Sequence, residues 1–238
     1  MRNITAIAGR ELAFLFNSPI AYIAITVFLA ICGVYLFLMH DFFGANQADM
    51  RPLMEQIPLF FILYVPAITM RLISEEKRSG TVELLATWPV TDWEIVLGKF
   101  LGALGFLLVT LGMSLVFPLL VGRLGLLDSG AVIGGYLGLV LVDSAYLAMG
   151  LLTSSWTENQ IVSFILAVLL CTFFYSVDGL VGSFWEAGRD AFAALSFRAH
   201  FQNVARGVID SRDVIFYLSF IGLALLLTVQ SLQARRWR

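Results

Sequence analysis

Long apolar runs broken by short polar stretches organise this chain. Six runs approach or exceed the ~20 mostly apolar residues that a bilayer-crossing helix needs. They lie at about 19–40, 56–73, 95–121, 131–153, 159–180 and 213–233. Pro66 falls in the middle of the second run and predicts a kink there. Ahead of the first run, Ile4, Ile7, Ala8, Leu12 and Leu15 recur at helical spacing, with Arg2, Arg10 and Glu11 between them. This predicts an amphipathic helix over about 3–16 in the membrane interface; the alternative is an exposed tail. Thr91–Glu94 and Thr157–Gln160 read as capping boxes before the third and fifth runs. Gly98 with Gly102, and Gly134 with Gly138, give the small-residue spacing that lets helix backbones approach closely. The pattern predicts an all-α integral membrane fold: one domain over 1–238, a six-span helical bundle.

Composition agrees with that reading. Apolar residues make up 59% of the 238 and charged residues 13%, against about 25% charged in an average soluble domain. The first run is too long for the apolar core of a signal peptide, and no small-x-small cleavage site follows it, so it reads as a retained span. A net charge of −2 gives no support for nucleic-acid binding. Cys32 and Cys171 both lie inside apolar runs, where a thiol behaves as a small hydrophobe rather than a disulfide or metal ligand. His40 and His200 have no ligand-like neighbours in sequence, and no metal site is expected. Orientation follows the distribution of Lys and Arg. With the N-terminus inside, Arg2, Arg10, Arg71, Lys77, Arg78, Lys99, Arg235, Arg236 and Arg238 face the cytoplasm. Arg51, Arg123, Arg189, Arg198, Arg206 and Arg212 face out. Both termini are then cytoplasmic.

The best-specified polar segment is 74–90, between the second and third runs. Glu75, Glu76, Lys77 and Arg78 open it, and Gly80 breaks the chain after them. Thr81 can cap a short helix with Glu83 in its first turn, where the helix dipole favours an acid. Leu84 and Leu85 give that helix an apolar side, and Pro89 stops it. An apolar edge flanked by charges suits a groove on a soluble partner. On spacing alone, a re-entrant or interfacial loop without a partner is an equal alternative.

Glu75-Glu76-Lys77-Arg78, Gly80-Thr81-Val82-Glu83-Leu84-Leu85, Trp88-Pro89-Val90 and Gly98-Lys99 together resemble the cytoplasmic signature of type-2 ABC exporter permeases. Near the C-terminus, His200-Phe201, the run Ala205 to Asp210, Arg212-Asp213-Val214 and Arg235-Arg236-Trp237 resemble the gliding-motility-type (GldF-like) branch. The resemblance covers essentially the whole chain. It implies that 1–238 is an ABC-transporter transmembrane domain in a bacterial inner membrane. It implies that the 74–90 segment is a cytoplasmic coupling helix, with Glu75, Glu76, Lys77, Arg78, Gly80, Thr81, Glu83, Leu84, Leu85 and Pro89 facing an ATPase. The implied partners are two copies of a P-loop ATPase, a second permease forming a homodimer, and accessory membrane proteins on the outer side. ATP and Mg would then bind in the ATPase, with no cofactor in this chain.

The residues themselves carry no hydrolytic apparatus. There is no G-x-x-x-x-G-K-[ST] phosphate loop: Phe100 follows Gly98-Lys99 where a hydroxyl is needed. There is no G-x-S-x-G and no H-E-x-x-H. The chain is expected not to be an enzyme. Asp143 is the one acid placed deep in a span, where an ionisable residue costs several kcal/mol by the milder scales, about 2.5–3.5. It reads as a structural hydrogen bond to Ser144, Tyr146 or another helix, with a substrate or proton pathway as the alternative. Phe197, Phe201, Val204 and Val208 recur at helical spacing before the last span, with Arg198 and Arg206 on other faces. They predict short outer helices at or in the interface, which in the family cap the outer end of the pathway; a surface loop with aromatic anchors is the alternative. A non-transporting scaffold that passes ATPase-driven motion to envelope or motility proteins competes with the transporter reading.

Overall fold

The computed structural model describes residues 2–39, 49–80, 90–182, 194–205, 207 and 210–234. These residues are almost wholly helical, with no strand among them. α1 (Arg2–Asn17) is followed by α2 (Pro19–Val34), α3 (Arg51–Thr69), α4 (Ser74–Arg78), α5 (Asp92–Ser114) and α6 (Val116–Leu124). Then come α7 (Ser129–Trp156), α8 (Gln160–Gly182), α9 (Phe197–Ala205) and α10 (Ser211–Gln233). Six stretches are long and apolar enough to cross a membrane: Pro19–Met39, Arg51–Arg78, Asp92–Leu124, Ser129–Trp156, Gln160–Gly179 and Ser211–Gln233. The expected spans are all present. The second starts well before the expected residue 56, at Arg51, because Pro52 sits in the first helical turn, where its missing N–H costs nothing.

α7 is the hub. It packs against α3, α5, α8, α9 and α10 and is the most enclosed of the spans. Its buried side is unusually polar and small, from Gly134 through Asp143 to Ser155. At Gly134, an added Cβ would stand 2.7 Å from the Val204 carbonyl oxygen, and at Gly138 3.1 Å from the Phe201 ring. The expected close-packing face therefore receives α9. At Gly98 and Gly102 the partner is α1: an added Cβ would meet Ile7 at 2.6 Å and the Ala8 carbonyl oxygen at 2.9 Å.

That contact revises the reading of the N-terminal helix. The apolar stripe of α1 is present, but it lies against α5 rather than against lipid alone, and Leu15 is buried. The helix runs without interruption through Pro58 and Pro66, where a kink is expected, to Thr69. Its interruption comes at 70–73. There the Ser154 hydroxyl accepts from the N–H groups of Ile73 and Ser74, substituting for intrahelical partners. The third span, expected as one helix, breaks at Leu115. Pro118 has no N–H for the Ser114 carbonyl, and its ring crowds that oxygen.

The Thr91 capping box forms as expected: the Thr91 hydroxyl accepts from Glu94 N–H, and the Glu94 carboxylate accepts from Thr91 N–H. The Thr157–Gln160 box does not cap α8 in the expected way. Asn159, nearer the helix start, accepts from Ile161 N–H, and Thr157 accepts from Asn159 N–H. The one-turn α4 ends at Gly80, the expected break, which adopts a left-handed φ of 70°.

Candidate functional site

Two clamps fix the entry of the 74–90 segment. The first is ionic. Lys99, in the second turn of α5, is 1% exposed. Its Nζ donates to Glu11 Oε1 at 2.9 Å and to Glu76 Oε1 at 2.7 Å. Arg10 Nη2 reaches Glu11 Oε1 at 3.1 Å and Glu76 Oε1 at 3.6 Å. Two acids and two bases from α1, α4 and α5 thus meet with balanced charge. The glycine contact places them: Gly102 lets α1 approach until Glu11 Cβ stands 2.7 Å from where a Cβ of residue 102 would be. Glu11 is then one turn from Lys99.

The second clamp is made of hydroxyls and carbonyls at the end of α7. Besides accepting from Ile73 and Ser74, Ser154 donates to the Met70 carbonyl at 3.1 Å. Ser74 also donates to that carbonyl. Lys77 Nζ donates to the Ser155 carbonyl, which also accepts from Ser231 of α10 at 3.2 Å. Thr69 lies so close to Gly150 that an added Cβ there would stand 2.8 Å from the Thr69 Cβ. The end of the second span is therefore joined to spans three, four and six and to α1.

The four charged residues of α4 divide accordingly. Glu76 and Lys77 point into the clamps, while Glu75 and Arg78 are exposed. Gly80 is exposed at the break. Thr81, Glu83, Leu84, Leu85 and Pro89 lie outside the described residues, as does Arg206.

The other expected sites are redistributed. Asp143 is 1% exposed, and neither carboxylate oxygen has a hydrogen-bond partner among the described residues. The expected structural hydrogen bond is not found among them: Ser144 donates to the Val140 carbonyl instead, and the Tyr146 hydroxyl is also unpartnered there. A serine in a helix finds the carbonyl one turn back more readily than a neighbour's carboxylate. Phe197 and Phe201 are 0% and 2% exposed, so α9 is a core element and not a surface loop with aromatic anchors. Phe197 packs against the rings of Phe174, Phe220 and Tyr146, and its carbonyl accepts from the Tyr217 hydroxyl at 2.8 Å. His200 has a neighbour that sequence spacing concealed: its Nδ1 lies 2.5 Å from Asp213 Oδ1, and its ring stacks on Phe216. No group of three metal-ligating side chains occurs among the described residues.

The fold and this site define a class: a multi-pass helical membrane protein whose most firmly anchored polar segment joins two spans at one membrane face. A family model described as ABC-2 family transporter protein matches residues 53–184. The match covers more than half of the chain, which belongs to that family and is a membrane component of an ABC transporter. It includes nearly all of α3, the whole of α4 to α8, and the clamped segment. No curated protein matches the chain.

Proposed function

We propose that the chain is the permease subunit of an ATP-driven exporter in a bacterial inner membrane, coupled through residues 74–90 to a separate ATPase. ATP and Mg bind in the ATPase, two copies of which serve two permease bundles, with a homodimer as the working pair. Both termini face the cytoplasm. The C-terminal residues quoted above support the gliding-motility-type branch, with accessory proteins on the outer side.

The observation that carries this reading is the ionic clamp. A segment that receives force from a soluble motor must be stiffly connected to the spans it moves. Lys99, Glu11 and Glu76 provide that connection at the point where 74–90 leaves the second span. Tilting one span against the others is a rigid-body route for coupling.

Purification in mild detergent tests it. A P-loop ATPase is expected to co-purify in equal number with the permease. Glu83→Lys, or Leu84→Asp with Leu85→Asp, should release it while the permease stays inserted. Full retention of the ATPase by these variants would overturn the docking assignment. Stimulation of ATP turnover by a transported substrate would separate a transporter from a mechanical scaffold.

A further inference from the structure

At the end of the bundle opposite the 74–90 segment lies a recess of about 490 Å³. The first two turns of α3 form one wall with Arg51, Glu55, Gln56 and Leu59; Tyr175 of α8 and Arg198, Phe201 and Gln202 of α9 form the other. Its volume lies within the range of small-molecule sites, about 300–1,000 Å³.

Four polar side chains of this recess are not used by the described part of the fold. Glu55, Gln56, Arg198 and Gln202 make no side-chain hydrogen bond or ion pair with another described residue, whereas Arg51 is paired with Asp128 at 3.1 Å. Among the described residues, the recess therefore offers one uncommitted cation, one uncommitted carboxylate and two uncommitted amides. Tyr175 lies within electrostatic reach of both Arg198 and Glu55, so the two charges border one space.

Its depth identifies the occupant. Arg51 to Leu59 spans about 12 Å of helix at ~1.5 Å per residue. The polar layer on each side of a bilayer is about 5–8 Å thick, half the difference between ~40–45 Å overall and ~30 Å of hydrocarbon. With Arg51 at the membrane surface, the recess would run from the headgroup layer into hydrocarbon. At its edge Leu59, and one turn further along α3 Leu63, are 45% and 57% exposed. An apolar track leads from a zwitterionic recess down the outside of the bundle.

We propose that this recess binds a phospholipid with a phosphate–amine headgroup, the phosphate on Arg198, the ammonium on Glu55 and an acyl chain along Leu59 and Leu63. Gln56 and Gln202 supply the remaining hydrogen bonds. A choline headgroup lacks the N–H donors that Glu55 can receive, and a glycerol headgroup lacks the cation.

The test measures bound lipid on the full chain, without its ATPase, by native mass spectrometry after incubation with defined lipids. Wild type should retain phosphatidylethanolamine about tenfold more strongly than phosphatidylcholine or phosphatidylglycerol. Arg198→Gln should weaken retention of all three about tenfold, the loss of one charge-assisted hydrogen-bonded contact. Glu55→Gln should remove only the preference for the amine. Arg212→Gln, an exposed arginine elsewhere, should change nothing. Both test positions are exposed, so unfolding midpoints should match wild type. Equal retention by wild type and Arg198→Gln would overturn the proposal. Equal retention of the three lipids by wild type would do the same. So would competition by soluble glycerophosphoethanolamine as effective as the lipid, which would make the ligand a soluble one.

Discussion

Lys99 illustrates what single residues contribute. An ammonium in an apolar environment is costly unless paired, and here two carboxylates compensate it. Replacing Lys99 with Met leaves Glu11 and Glu76 close together, with only half-exposed Arg10 between them. Removing one partner from a buried ionic group costs about 3–5 kcal/mol. Lys99→Met should therefore lower stability by about that amount in detergent unfolding. Adding Glu11→Gln and Glu76→Gln should recover much of the loss; no recovery would show that the carboxylates do not depend on Lys99. The sequence held one clue to this node. Glu11 falls in register with Ile4, Ile7, Ala8 and Leu15, on the apolar stripe of α1, where an acid needs a buried partner. The partner, 88 residues away, leaves no local trace. Asp143 gave the opposite outcome: its depth in a span was legible, while its lack of a hydrogen-bond partner depends on where neighbouring serines direct their hydroxyls.

At the scale of elements, glycines decide which helices meet. The spacing of Gly98 and Gly102 marked a close approach, but the sequence could not say that α1 makes it, because every apolar stripe in a membrane protein has lipid as an alternative partner. A pair of substitutions separates packing from propensity. Gly102→Ala introduces a Cβ 2.9 Å from a backbone oxygen of α1, whereas Gly112→Ala meets nothing within 4 Å. Alanine favours helix over glycine by about 0.8–1.0 kcal/mol. Gly112→Ala should thus leave the unfolding midpoint unchanged or raise it. Gly102→Ala should lower it and loosen α1, seen as faster proteolysis near the N-terminus. Equal effects would remove the packing argument. Six spans and the Thr91 cap were legible because periodicity and capping are local. The breaks at 70–73 and Leu115 are less legible: the first depends on a serine 80 residues away, and Pro118, behind the second, lies within a continuous apolar run.

For the whole molecule, the bundle has a clamped end and a recessed end, and its direction in the membrane is open to direct measurement. Single cysteines at Ser79 and Leu126, both exposed, in a background lacking Cys32 and Cys171, should react from opposite sides of the membrane. Labelling of Ser79 from the cytoplasm is expected from the bias of Lys and Arg. Labelling from outside would invert the bundle and remove access for a cytoplasmic ATPase.

The enclosed fourth span also has a consequence for how the chain is made. Spans enter a membrane in order of synthesis, so α7 arrives before α8 and α10, which supply much of its cover. Until they follow, the faces they will cover remain open to lipid, on a helix that carries Asp143, Thr153, Ser154 and Ser155. Such a helix is poorly suited to lie alone in hydrocarbon. A ribosome stalled before the last span, or a chain truncated there, would leave a half-built bundle with polar groups open to the bilayer. That is the kind of surface by which membrane quality control distinguishes an orphan from a finished protein.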